Sequence, residues 1–285
     1  MHSARRGLGS DVAGSRPYLP GDDVDAIDWA ASAKLSAARG TDDFVVRERY
    51  AEEAPRVLIV CDRRPAMALY PEPWLCKPRL VELAARMIAV SAARARGLLG
   101  YLDFAEGRPF WRPPRTQVNA AGLDEHLAWP SYRAPEDGLS IAFEFLQEHS
   151  RALPPGTFVF VLSDFLEPPP REAWERAIRH RWDVIPVVVQ DPTWERSFPL
   201  AHGVALPVWD ASDGHAATLR LSRRQAEERR GAHLRRHDDL VASLIELQLE
   251  PVVLHASAAE LVLGEFLAWA DGRAYVRGLE WRVTV

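Results

Sequence analysis

The sequence predicts an α/β fold whose sheet is mostly parallel. Short continuous apolar runs alternate along the chain with segments of helical periodicity, an order typical of parallel sheets. The runs are rich in valine, leucine and phenylalanine, as expected of strands buried on both faces. The chain has 285 residues, of which 47% are hydrophobic. That length corresponds to about two domains, and that composition excludes gross disorder.

The first predicted elements lie between residues 57 and 112. Val57 to Val60 is a β-branched run that ends at Cys61 and Asp62. Apolar residues from Leu80 to Ser91 follow the i, i+3, i+4 spacing of a helix, which Gly97 terminates. Leu98 to Phe104 reads as a second strand. After a turn at Gly107, Phe110 to Arg112 is predicted to return antiparallel to it.

The middle of the chain continues the alternation. A helix is predicted over 139–146, a strand over 157–162, a helix over 171–181 and a strand over 184–189. Pro186 lies inside the last of these strands, which predicts an edge or bulged position.

The last third of the sequence predicts a hairpin, a long helix and three short elements. The hairpin joins residues 203–209 to 217–221 around Asp213 and Gly214, and the long helix covers 222–249. A strand over 251–255 and a helix over 258–270 follow. A turn at Asp271 and Gly272 is then predicted to lead into a C-terminal strand over 275–285.

Charge and composition exclude several functional classes. The formal net charge of −5 disfavours a general nucleic-acid binder, and two cysteines are too few for a disulfide framework. The first residues lack the apolar core of a signal peptide, and no apolar run reaches the length of a membrane span. We therefore expect a cytoplasmic protein without a membrane span. The sequence carries no P-loop, HExxH or GxSxG motif.

Acidic residues follow three of the predicted strands. Asp62, Asp164 and Asp191 stand at strand ends, where ligands bind in open parallel sheets. Two neighbouring carboxylates could hold Mg²⁺, which prefers oxygen ligands. The alternative is that each aspartate caps the start of a following helix. Both interpretations stay open at this point.

The segment GDDVDAIDW, residues 21–29, is densely acidic. We expect Ile27 and Trp29 to anchor it on the α/β domain, since a free loop would not keep a tryptophan exposed. Its aspartates would then pair with Arg16, Arg47 or Arg49, although a contact site for a partner is the alternative.

These residues carry a resemblance to a bacterial protein family, domain of unknown function 58. The residues that match its motif are Arg16, Tyr18, Gly21, Asp22, Asp23, Ile27, Asp28 and Trp29. The resemblance continues through Ser163–Phe165 and Val187–Pro192. It implies an N-terminal segment over 1–55 and a Rossmann-like, von Willebrand A-like three-layer sandwich over 56–270. Residues 191–249 would form a hairpin-plus-helix insertion, and 271–285 the C-terminal strand.

The von Willebrand A-like resemblance also implies a metal-ion-dependent adhesion site, but with altered ligands. Its usual Asp-x-Ser-x-Ser pattern reads here as Asp62, Arg64 and Ala66, its threonine position falls near Asp137, and Asp164 would be its last acid. A cation in place of hydroxyl ligands should repel Mg²⁺. We expect a metal-free remnant without a cofactor, in which Arg64 or Arg63 pairs with Asp62 or Asp164. The alternative is that both arginines point into solvent.

The sequence features leave two candidate functions. The resemblance implies a non-enzymatic adaptor that works with a MoxR-type AAA+ ATPase. The alternative is a divalent-metal-dependent hydrolase that uses Asp62 and Asp164. The long helix offers a possible docking face of six arginines: Arg223, Arg224, Arg229, Arg230, Arg235 and Arg236. His233 and His237 lie one turn apart on the same helix, which by itself indicates surface polarity and no metal site.

Overall fold

The computed structural model describes residues 12–18, 27–40, 44–49, 54–69, 75–115, 121–128, 131–209 and 215–283. The chain divides into two units, residues 1–55 and residues 56–285.

The N-terminal unit contains a two-stranded sheet and one helix. Strand β1 (Val12–Pro17) pairs antiparallel with β2 (Val45–Arg49), and Ile27 forms an isolated bridge to Val46. Helix α1 (Trp29–Arg39) begins at Asp28, whose side chain accepts a hydrogen bond from the amide of Ala31. None of these elements is predictable from the sequence pattern, because their apolar residues are few and irregularly spaced.

The second unit is built on a six-stranded sheet. Its chain contains β3 (Arg56–Cys61), β4 (Leu98–Asp103), β5 (Phe110–Arg112), β6 (Phe158–Ser163), β7 (Asp183–Val189), β8 (Ala205–Trp209), β9 (Ala216–Arg220) and β10 (Val252–Leu254). The sheet order is β10-β7-β6-β3-β4-β5, while β8 and β9 form a separate antiparallel hairpin. All sheet neighbours are parallel except β4 and β5. A mixed α/β fold with a mostly parallel sheet is therefore confirmed.

Helices cover both faces of this sheet. They are α2 (Lys77–Arg94), α3 (Ala121–Ala128), α4 (Gly138–Glu148), α5 (Arg171–Arg179), α6 (Arg223–Glu246) and α7 (Ala259–Val283). Side chains of α2, α3 and α7 share one apolar cluster with Ile59 of β3. Side chains of α4, α5 and α6 share a second cluster with Leu58. Because neighbouring residues of a strand point to opposite faces, the apolar run of β3 contributes to both clusters.

The edge position predicted for Pro186 is present only locally. Strand β7 is internal, since it lies between β10 and β6. However, β10 is short and pairs only with Val187 to Val189, so at Pro186 strand β7 pairs with β6 alone. The proline thus occupies a place where β7 is locally an edge, which accommodates its missing amide hydrogen.

The predicted C-terminal strand over 275–285 is wrong, as is the turn at Asp271 and Gly272. Helix α7 continues from Ala259 through both residues to Val283. No proline interrupts this stretch, and its glycines lower helix stability without ending the helix. The predicted hairpin turn at Asp213 and Gly214 lies outside the described residues.

The strand order brings two candidate residues together. The chain passes from β3 to β4 on one side and later adds β6 on the other side of β3. The carboxyl ends of β3 and β6 are therefore adjacent at a switch point of the sheet, where ligands of such folds usually bind. Asp62 and Asp164 immediately follow these two strands.

Candidate functional site

Asp62 and Asp164 are both buried at this edge of the sheet. Asp62 accepts a hydrogen bond from the amide of Arg64, and Asp164 accepts one from the amide of Leu166. Each carboxylate therefore closes a tight turn two residues further on. Neither aspartate is the N-cap of an α-helix, so that alternative is wrong for both.

Arg64 lies between the two carboxylates. Its Nη2 is 2.7 Å from Asp62 Oδ2 and 2.9 Å from Asp164 Oδ1. Ser163 completes the contact by donating its hydroxyl to Asp62 Oδ2 at 2.6 Å. Arg64 is only 4% exposed, so the alternative of an arginine in solvent is wrong. The predicted pairing of Arg64 with Asp62 and Asp164 is present.

Lys77 is a second buried cation, which was not among the residues predicted from the sequence. Its side chain is fully buried at the start of α2, where Nζ donates to Asp164 Oδ2 at 2.9 Å and also to Glu195. The one feature of the sequence that could have drawn attention to Lys77 is its rarity, since it is one of two lysines in an arginine-rich chain. Arginine is bulkier, whereas a lysine ammonium places its charge in a compact group.

These contacts determine the ionisation of the cluster. Burial disfavours the charged form of Asp164, but the positive charges of Lys77 and Arg64 outweigh burial and lower its pKa. Burial likewise opposes the charge of Arg64, yet its hydrogen bonds and attraction to Asp62 raise its pKa. Burial and the nearby charge of Asp164 raise the pKa of Glu195. The attraction of Asp164 and Glu195 likewise raises the pKa of Lys77 against the effect of burial, so the contacts favour the charged forms of Asp164, Arg64 and Lys77.

Arg63 belongs to a separate buried network. Its guanidinium contacts Asp103 at 3.3 Å, Tyr101 at 2.9 Å and Tyr132 at 3.1 Å. His126 Nε2 lies 2.8 Å from Asp103 Oδ2 and ties α3 to the end of β4. Burial raises the pKa of the neighbouring Cys61 thiol to about 11, so Cys61 is a poor nucleophile.

A third group of contacts links the site to α6. Gln190 Nε2 donates to the carbonyl oxygen of Asp164 at 2.7 Å, and His237 Nδ1 lies 2.7 Å from Gln190 Oε1. His237 is therefore a buried structural contact, so its expected place on the polar surface is wrong. Asp191 caps the turn that follows β7 through the amides of Thr193 and Trp194.

The structure leaves other predicted positions outside the ion cluster. Ala66 lies in a short 3₁₀ turn (Pro65–Ala68), where its carbonyl oxygen accepts a bond from Lys77 at 3.3 Å. Asp137 is exposed at the start of α4.

The N-terminal motif is described only in part. Gly21, Asp22 and Asp23 lie outside the described residues, and so do the side chains of Arg16, Arg47 and Arg49. Within its own unit, Trp29 packs edge-on against Phe44, and Tyr18 does the same. The anchoring role of Trp29 and Ile27 and the aspartate–arginine pairings stay predictions.

The six arginines of α6 have different surroundings. Arg223 and Arg224 pair with glutamates one turn further along the helix. Arg229 stacks over Phe198, and Arg236 donates to the carbonyl oxygen of Glu195. For Arg230 and Arg235, no ion pair with another described residue is present. A docking face on α6 stays a prediction, and Arg230 and Arg235 are the two arginines best suited to contact a partner there.

Within the described ranges, no group of three or more histidine, cysteine, aspartate or glutamate side chains is arranged to hold a metal ion. None of the helices in this part of the chain combines the length and the apolar character needed to cross a bilayer.

Comparison with known proteins finds a matching protein family and several similar solved structures. The family model described as "Protein of unknown function DUF58" matches residues 14–239. No curated protein matches the chain. The solved structures include the conserved hypothetical protein BatB from Bacteroides thetaiotaomicron, which is 16% identical with a TM-score of 0.46 over 76% of this chain and 99% of that chain.

Two further solved structures come from proteins described as membrane proteins. An aerotolerance-related membrane protein from Bacteroides fragilis is 15% identical with a TM-score of 0.45, over 74% of this chain and 98% of that chain. An uncharacterized membrane spanning protein from Vibrio fischeri is 14% identical with a TM-score of 0.21, over 76% and 97%.

Replacing Arg64 by methionine should destabilise the protein by about 3–5 kcal/mol, because it leaves buried carboxylates without their shared cation. Urea unfolding measures this change. Arg224→Met is the matched control, since it removes an arginine from an ion pair at the surface and should change stability little. Equal losses of stability in the two variants would show that the buried ion pairs of Arg64 contribute no more than an ion pair at the surface.

The protein should also become less stable at acidic pH, because Asp164 and Asp103 become protonated. Their folded-state pKa values are lowered, so their contribution is complete above about pH 4, the usual unfolded value. It is lost as the pH falls through the lower folded-state values. Urea unfolding at a series of acidic pH values measures the loss. Asp164→Asn should flatten this dependence, and an unchanged slope in that variant would contradict the assignment.

Proposed function

Because this chain belongs to the DUF58 family, whose function is unknown, we propose that it is a non-enzymatic adaptor that binds a protein partner without a bridging metal. The observation that carries the proposal is the occupation of the strand-end carboxylates by Arg64 and Lys77. The proposed partner is a MoxR-type AAA+ ATPase, as the sequence resemblance implies. The proposed fold type is the von Willebrand A-like sandwich.

The residues at the strand ends do not fit a divalent metal. A metal-ion-dependent adhesion site needs several oxygen ligands free to point at one ion. Here Asp62 Oδ2 accepts bonds from Arg64 and Ser163, and both oxygens of Asp164 face a cation. Two monovalent cations supply the charge that one divalent ion would bring. We therefore derive no metal-dependent step at this site.

The same contacts disfavour the hydrolase alternative. A metal-dependent hydrolase needs a cation that activates water and a carboxylate that is free to hold it. Displacing Arg64 and Lys77 would leave two buried positive groups without partners, which is costly. The nearby hydroxyl of Ser163 is engaged with Asp62, and its surroundings offer no histidine base among the described contacts. Adaptor binding requires none of these groups to move.

Calorimetry with Mg²⁺ and Mn²⁺ tests the metal-free character of the site. The wild-type chain should give no binding heat, because both strand-end carboxylates are already paired with cations. The double variant Arg64→Ser, Ala66→Ser is the informative companion, since it removes the guanidinium and restores two hydroxyls. Tight binding of Mg²⁺ by the wild type, lost in Asp62→Asn, would contradict the proposal and favour the hydrolase.

Capture of partners from the native host tests the adaptor role. The tagged full chain should enrich a MoxR-type AAA+ ATPase, and enrichment should depend on ATP because such partners change shape with nucleotide. Arg230→Glu, Arg235→Glu should reduce capture if α6 forms the docking face. Asp137→Asn serves as a control for an exposed charge elsewhere. Reproducible capture without any AAA+ ATPase would count against this partner.

A further inference from the structure

Helix α6 carries its charges in an order that opposes its own dipole. Its first part, residues 223–236, holds six arginines and two glutamates, whereas residues 237–246 hold three acidic residues and no arginine. The first turn contains no acidic residue and the last turn no basic one. Cations near the start of a helix and anions near its end are unfavourable, so this order weakens the helix on its own. An antiparallel helix beside it would turn the same order into an attraction.

One flank of α6 exposes two apolar side chains. The buried residues that define its inner side are Ala226, His237, Leu240 and Leu244. Helical periodicity places Leu234 a quarter of a turn away from this inner side, and Leu234 is 38% exposed. Ile245 lies about three turns further along the same flank and is 59% exposed. Two exposed apolar residues are ordinary by themselves, so their meaning depends on the charges beside them.

Opposite charges lie on either side of Leu234. Arg230 comes four residues before it and Asp238 four residues after it, and both are exposed. Side chains four residues apart are neighbours on a helix, so Arg230, Leu234 and Asp238 form one stripe on this flank. Within the part of the chain that the structure describes, neither Arg230 nor Asp238 forms an ion pair.

Gly231 brings a second arginine to the level of Arg230. A Cβ added to this glycine would lie 3.2 Å from Arg235 Nη1, so the guanidinium of Arg235 folds back by one turn and covers the glycine. Glycine inside a helix costs stability, but any other residue here would crowd that guanidinium. Two guanidinium groups without ion pairs to described residues therefore lie one turn before Leu234, and the carboxylate of Asp238 lies one turn after it.

We propose that α6 pairs antiparallel with α6 of a second copy of this chain, across a two-fold axis at Leu234. Each Asp238 then lies at the level of Arg230 and of the guanidinium of Arg235 in the other copy. The two Leu234 side chains meet at the axis, and Ile245 lies beside the aliphatic stems of the arginines in the first turn of the other α6. Such an interface is isologous, since the same surface serves both copies.

A second copy suits this flank better than a partner of one charge. A purely acidic partner would pair with Arg230 and Arg235 but would repel Asp238, whereas α6 itself presents both signs in the reverse order. A parallel copy would place Arg230 beside Arg230 and Asp238 beside Asp238. The pairing does not depend on the adaptor proposal, because it needs only the purified chain.

Sedimentation equilibrium of the purified full chain tests the pairing. The wild type should be in a monomer–dimer equilibrium that shifts toward monomer as salt is raised, because charge pairs hold part of the interface. The double variant Arg230→Glu, Arg235→Glu and the single variant Asp238→Lys should each weaken the dimer by about tenfold or more, since like charges then face each other. Arg179→Glu is the matched control, because Arg179 is an exposed arginine of α5.

A mixture of the two charge variants tests whether the flank is complementary to itself. Each variant repels its own copy, but the double variant supplies negative charges where Asp238→Lys supplies a positive one. The mixture should therefore associate although neither variant does so alone, and both should keep the circular dichroism of the wild type. A wild type that stays monomeric over about a hundredfold range of concentration would overturn the proposal. So would a dimer that both variants leave intact, or a mixture that stays monomeric.

Cross-linking tests the orientation of the two helices. Leu234→Cys lies at the axis beside its own copy, so it should form an intermolecular disulfide on mild oxidation. Ile245→Cys lies about three turns from the axis and should form none, whereas a parallel pair would join both positions. The wild type controls for Cys61 and Cys76. Disulfides at both engineered positions would contradict the antiparallel pairing.

Discussion

The ion cluster around Arg64 is the constraint on which the sheet edge depends. Two parallel strands, β3 and β6, end side by side and deliver Asp62 and Asp164 to one buried position. Two carboxylates so near to each other in a buried position cannot both be ionised unless cations compensate their negative charges. Arg64 comes from the turn directly after β3 and Lys77 from the start of α2, so the neutralising charges arrive from two different elements.

This compensation also connects the elements around the edge. Lys77 joins α2 to Asp164 and to Glu195 in the turn after β7. Gln190 and His237 extend the contacts from the backbone of Asp164 to α6. A network in which every member is satisfied makes one arrangement of these elements favourable, whereas removal of one member leaves a buried group unpaired. These contacts therefore tie α2, α6 and the turn after β7 to Asp164.

The central sheet could be predicted from the sequence because its strands are continuous apolar runs, and Phe158–Ser163 is an example. The pairing of Arg64 could be predicted because it is close in sequence to Asp62. Lys77 could not, since it reaches Asp164 across 87 residues and nothing in local periodicity records that distance. The continuation of α7 was missed for another reason: Asp271 and Gly272 resemble a turn, but the residues on both sides favour helix.

In the proposed adaptor role, the neutralised edge limits how this chain recognises a partner. A bridging metal would bind a partner's carboxylate through one strong, directional contact. With that contact replaced by internal ion pairs, recognition has to come from side chains that remain in solvent. Glu167 is such a residue at the edge itself, because its side chain is 65% exposed while its Oε2 lies 3.7 Å from Arg64 Nη1. In the proposed adaptor role, this exposed carboxylate favours a basic partner surface over an acidic one.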